Sequence, residues 1–118
     1  MDEEETRSKM MKALSNVSLR HILVSCSDRP KAASTLAVDL DIPLSTAYNY
    51  IHELMEAGLL AVERSVITDE GKRYAMYRSV AREIRFVILS NGTTVEISPN
   101  EDVATRFYRL WSSLKKVK

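Results

Sequence analysis

Cysteine, glycine, proline and tryptophan are all scarce in this chain of 118 residues, at one, three, three and one. A lone cysteine, Cys26, cannot close an internal disulfide, so the fold must rest on a buried core, and a reducing compartment suits it. The glycines fall at Gly58, Gly71 and Gly92. A helix stop and two turns account for them, which leaves none for a glycine-rich phosphate loop. No nucleophile elbow or paired ligand motif appears either, so no enzyme is expected. No apolar run approaches the roughly eighteen residues of a membrane span. The acidic stretch Asp2-Glu3-Glu4-Glu5 has the wrong charge for a secretory signal, and a soluble, cytoplasmic protein is expected.

A strong excess of charge is also missing, since the net charge is +1. Its distribution is uneven. Residues 1–60 hold six Lys/Arg against nine Asp/Glu, a balance of −3, whereas residues 61–118 hold eleven against seven, a balance of +4. Arg64, Lys72, Arg73, Arg78, Arg82 and Arg85 crowd the middle of the second half, where they form either a phosphate-binding face or an ordinary solvated one.

What the chain does have is ordinary globular usage, 45% apolar and 28% charged, with room for one core. Residues 3–14 read as a helix with an acidic first turn and an apolar edge of Met10, Met11 and Leu14. Ser15 or Asn16 caps a second helix, in which Leu19, Ile22, Leu23 and Cys26 recur at helical spacing, and Ser27-Asp28-Arg29-Pro30 ends it. Two more helices follow, about 32–40 and 44–57. Leu36, Ala37 and Leu40 stripe the first, and Ala47, Tyr50, Ile51, Leu54 and Gly58 stripe the second, with Ile42 as an apolar plug in the turn. Gly58 suits the left-handed residue that ends a helix.

This is the pattern of a helix-turn-helix, whose second helix can offer side chains to base edges in the major groove. Its outer flank carries Ser45, Tyr48, Asn49 and His52. Ser45 and Thr46, at the helix start, suit phosphate contact. The Asn49 amide suits bidentate pairing with adenine, and Tyr48 and His52 suit edge or backbone contacts, although each also fits a plain solvated surface.

The same residues resemble the winged helix-turn-helix regulators of the arsenical-resistance-repressor (ArsR) family. The resemblance includes the lead-in Lys12-Ala13-Leu14-Ser15-Asn16-Val17-Ser18-Leu19-Arg20-His21-Ile22-Leu23 and continues through Gly58-Leu59-Leu60-Ala61-Val62-Glu63-Arg64, roughly residues 10 to 80. Asp41 stands where the family has a turn glycine, Val17 where it has proline, and Leu19 where arginine is frequent. The resemblance implies an α+β fold in which a wing hairpin, residues 60–80, lies along the DNA backbone, with Arg64, Lys72 and Arg73 on phosphates.

From Leu60 the pattern turns to β. Leu60 to Val66 and Lys72 to Val80 flank Thr68-Asp69-Glu70-Gly71 and read as an antiparallel hairpin. Thr68-Asp69-Glu70 also fits a helix start, which would align Tyr74, Tyr77 and Ala81. In a second hairpin, Asn91-Gly92 as a two-residue loop pairs Ser90 with Thr93, Ile88 with Val95 and Phe86 with Ile97. Ile84, Phe86, Ile88, Val95 and Ile97 then share the face expected to be buried. Ser98 as N-cap, Pro99 at N1 and Glu101 at N3 complete a capping box that opens a last, amphipathic helix.

Along that helix Val103, Phe107, Leu110 and Leu114 recur at heptad steps, with Trp111 beside them. With Met10 and Leu14 they are the expected homodimer contacts, and residues 81–118 read as a dimerisation extension of the DNA-binding core, residues 1–80. A homodimer on pseudo-palindromic double-stranded DNA is therefore expected. No cofactor and no metal are expected, because the chain lacks a Cys pair and its two histidines, His21 and His52, lie apart. A small-molecule effector is left open, with its pocket between the second hairpin and the last helix. The competing reading is a winged-helix module that binds protein instead of DNA.

Overall fold

The computed structural model describes residues 3–101, an α+β arrangement of four helices and two small antiparallel sheets. Helix α1 spans Glu3–Leu14 and buries Thr6, Met10 and Ala13, a stripe at steps of four and three. Met10 is 0% exposed, inside the chain's own core, while its neighbour Met11 is 46% exposed. This corrects the expectation that Met10 belongs to an intersubunit edge: the helix is rotated so that position 10 points inward. Leu14 is half-buried and packs against the same core.

Helix α2, Val17–Ser25, starts at Asn16, whose Oδ1 accepts a hydrogen bond from the Ser18 backbone N–H at 2.8 Å. Asn16 therefore fills the N-cap role that Ser15 also fitted. The stripe Leu19, Ile22, Leu23 and Cys26 is buried as its spacing predicts.

Helices α3, Ala33–Leu40, and α4, Leu44–Glu56, meet through a tight turn. Asp41 takes φ 54° and ψ 51°, and the Ile42 N–H donates to the Ala37 carbonyl at 3.0 Å. A left-handed residue with this back-bonding stops α3 abruptly and lets α4 begin three residues later. Helix α4 buries Ala47, Ile51 and Leu54. It ends on Gly58 at φ 76°, with the Gly58 N–H on the Met55 carbonyl at 3.0 Å and the Leu59 N–H on the Leu54 carbonyl at 2.9 Å. Burying Leu36, Ile51 and Leu54 in the facing stripes contributes about 1.5–3 kcal/mol each.

The first sheet has strand order β1-β3-β2, from Lys31–Ala32, Arg73–Ser79 and Leu60–Ile67. Strand β1 is absent from the sequence reading. Two residues carry no period, and only their pairing with Tyr77 and Met76 makes them a strand. At the β2–β3 connection the Thr68 N–H donates to the Lys72 carbonyl at 2.8 Å, the Gly71 N–H donates to Thr68 at 2.9 Å, and Gly71 takes φ 82°. The hairpin forms and the competing helix over this stretch does not, because Gly71 supplies the left-handed residue of a three-residue hairpin loop. Glu63 bulges from β2 between Val62 and Arg64.

The second sheet pairs β4, Ala81–Leu89, with β5, Gly92–Pro99. Leu89 faces Gly92, Phe86 faces Val95 and Ile84 faces Ile97. The loop is therefore Ser90-Asn91 instead of Asn91-Gly92. A slip of two residues keeps every side chain on its own face, so the apolar alternation cannot distinguish the two registers. Gly92 enters the strand at φ 145°, a backbone conformation open to glycine. The inner face is buried only in part. Val95 and Ile97 join the core and Ile84 and Phe86 pack half-buried against it, but Ile88 is 82% exposed toward the hairpin tip.

Strand β5 runs through Ser98 and Pro99, paired with Glu83 and Ala81. Long-range pairing overrides the local capping box, and Glu101 is the first helical residue after it. Asn100 directly follows the strand. It is 1% exposed, and its Nδ2 donates to the Ser27 carbonyl at 2.9 Å and the Ser79 carbonyl at 3.1 Å. Val103, Phe107, Leu110, Trp111 and Leu114 lie outside the described residues. The core is continuous across residue 80, since Val80, Ala81, Val95 and Ile97 belong to the cluster that holds Met10, Leu36 and Ile51.

Candidate nucleic-acid interface

Helix α4 divides cleanly into two flanks. With Ala47, Ile51 and Leu54 facing the core, Ser45, Tyr48, Asn49 and His52 stand at steps of three, one and three on the other side, and all four are exposed. Thr46 is half-buried at the boundary. Pro43 precedes the helix at φ −60° and ψ 150°, and no side chain caps the first turn. Early backbone N–H groups without a side-chain cap, at the positive end of a helix dipole, suit an anionic oxygen.

The helix itself carries no Lys or Arg, and its only formal charges are Glu53 and Glu56 in its last turns. Cations come from the neighbouring hairpin. Arg64, Lys72 and Arg73 are exposed, Arg64 on β2 and the other two where the loop enters β3. Arg64 Nη1 lies 3.6 Å from Glu63 Oε2, a loose pair whose arginine side chain is 60% exposed.

The rest of the basic cluster is divided. Arg78 is buried: its Nη1 donates to Glu63 Oε1 at 2.7 Å and its Nε to the Ser27 carbonyl at 3.1 Å. It belongs to the scaffold and not to a phosphate-facing row. Arg82 and Arg85 are exposed on β4, where Arg85 lies near Glu83 and Glu96 at 3.4 and 3.9 Å.

One relationship escaped the sequence reading. Tyr77 of β3 is largely buried, and its hydroxyl pKa is raised, first by burial and then by the nearby Tyr48 hydroxyl. The hydroxyls of an α4 residue and a β3 residue thus interact electrostatically, a proximity that only the tertiary fold creates.

Among the described residues, no group of three or more His, Cys, Asp and Glu is placed to hold a metal ion. His21 and His52 are exposed on separate helices. Burial pushes the Cys26 thiol from 9.0 up to about 12, against a smaller opposing pull from Lys31 and Arg78. A shallow cleft of about 170 Å³ lies where α2 meets the root of β4, lined by Leu23, Val24, Ser27, Ala81 and Ile84 among others. It is smaller than the pockets that enclose drug-sized ligands. No described helix is long and apolar enough to cross a membrane. No protein-family model and no curated protein matches the chain.

Proposed function

We propose that the chain is a winged helix-turn-helix transcriptional regulator of the ArsR type, binding double-stranded DNA as a homodimer. Helix α4 enters the major groove and the β2–β3 hairpin is the wing on the adjacent backbone. The observation that carries this reading is the exposed flank Ser45, Tyr48, Asn49 and His52 on a helix locked to the core by its opposite side, beside a hairpin bearing exposed Arg64, Lys72 and Arg73. A rigid helix with an unobstructed polar face and flanking cations is what groove recognition requires.

One helix per groove gives few base contacts, so two copies on a two-fold axis supply the missing specificity. Leu14 and the segment bearing Val103, Phe107, Leu110, Trp111 and Leu114 are the proposed contacts between copies.

One observation favours a second reading, a protein-binding module: α4 has no basic residue of its own. A gel shift with DNA from upstream of the chain's own transcription unit, repeated at two salt concentrations, separates the two. The regulator reading predicts a discrete complex that weakens steeply with salt. Absence of a complex even at low salt favours the protein-binding module.

A further inference from the structure

The outward flank of α4 lacks the side chains that match guanine best. In the major groove guanine presents two acceptors, N7 and O6, which the paired donors of Arg or Lys satisfy, whereas adenine presents one acceptor and one donor, which the Asn amide matches. None of the thirteen residues of α4 is Arg or Lys. Asn49 is exposed at its centre, and Leu44 and Tyr48, 47% and 40% exposed, give the N-terminal half of the helix an apolar edge to one side of it. Such surface fits the thymine methyl group, the only apolar feature of the groove.

Charge decides which end of the helix approaches the bases. Glu53 and Glu56 fall in the C-terminal part, where phosphates repel them, while the N-terminal turn has no side-chain cap and the dipole's positive end. Residues 44 to 49 therefore enter deepest, and Asn49 is their one amide.

The geometry points to α4 as an A·T reader: the half-site is centred on A·T pairs, with Asn49 on adenine and Leu44 and Tyr48 against thymine methyls. This inference rests on the DNA-binding reading and deepens it by naming the sequence class of the ligand.

The test is selection of duplexes from a random pool by the full chain, followed by titration of the selected duplex and of variants with single A·T to G·C exchanges. The expected half-site core is A·T, and an exchange at the Asn49 contact weakens binding roughly tenfold or more. Asn49→Ala, checked for an unchanged circular dichroism spectrum, is expected to bind both duplexes nearly equally. Asn49→Arg is expected to shift preference toward G·C. A G·C core, or discrimination that survives Asn49→Ala, overturns the A·T inference and leaves DNA binding intact. Failure to retain any duplex at low salt overturns both.

Discussion

Arg78 and Glu63 form a 2.7 Å ion pair across the bulge of β2, beneath the hairpin whose loop end carries Lys72 and Arg73. Glu63 is the unpaired residue of that bulge, and the arginine it holds shares the Ser27 carbonyl with Asn100, both donating to it. The buried guanidinium, the turn after α2, the hairpin and Asn100 at the end of β5 therefore meet at one point.

Removing one partner of such a pair leaves a poorly compensated charge inside the fold. Glu63→Ala is expected to destabilise the chain by about 2–4 kcal/mol, read from denaturant unfolding. The double change Glu63→Leu with Arg78→Met should recover part of that loss. A double variant less stable than Glu63→Ala alone would contradict the assigned role.

The turn between α3 and α4 tests backbone conformation. Asp41 holds φ 54°, a left-handed conformation that Gly adopts freely, Asn and Asp tolerate through their short polar side chains, and β-branched residues resist most. Asp41→Val should cost about 1–2 kcal/mol, while Asp41→Gly should be neutral or slightly stabilising. Thermal unfolding of the three proteins checks the order, and equal melting temperatures for Val and Gly would refute it.

Much of the α-helical half was legible because its signals are local. The stripes Leu19 to Cys26 and Ala47 to Leu54, and the stop at Gly58, are written in spacings of three and four and in one residue without a Cβ. The failures are places where distant pairing outweighs local pattern. Strand β1 exists only beside β3, Ser98 and Pro99 look like a helix start yet stay in the ladder with β4, and Arg78 looks like a surface cation but lies under Glu63. Along α1, Met10 and Met11 are chemically equivalent, so the sequence pattern put both on one outer edge and gave no sign that Met10 turns into the core. Within the candidate interface, the α4 flank was legible and the electrostatic proximity of Tyr48 to Tyr77 was not.

The buried thiol gives a pH test. The Cys26 pKa is raised to about 12 from 9.0 by burial, so below pH 9 both states keep the proton and its contribution to stability is complete. Between pH 9 and about 12 the unfolded chain releases a proton that the folded chain retains, and stability falls. Unfolding free energies of wild type and Cys26→Ala should therefore converge across this interval, with Cys26→Ala the flatter of the two. Parallel profiles would show that the thiol is not desolvated. At pH 8, alkylation of native Cys26 should be slow until denaturant is added.

Phosphate contact makes a different prediction from base contact. Arg73→Ala should weaken binding to all duplexes alike and reduce the salt slope by about one. Anisotropy titrations at several salt concentrations measure both quantities. An unchanged slope would remove the β2–β3 hairpin from the proposed interface.

The central claim is that the outer flank of α4 meets the duplex. Hydroxyl-radical footprinting of the full chain, with and without a selected duplex, tests it most directly. The account predicts protection of Tyr48 and His52 on adding DNA, with Met11 on α1 unchanged. Undiminished labelling of Tyr48 and His52 in a saturated complex would contradict it.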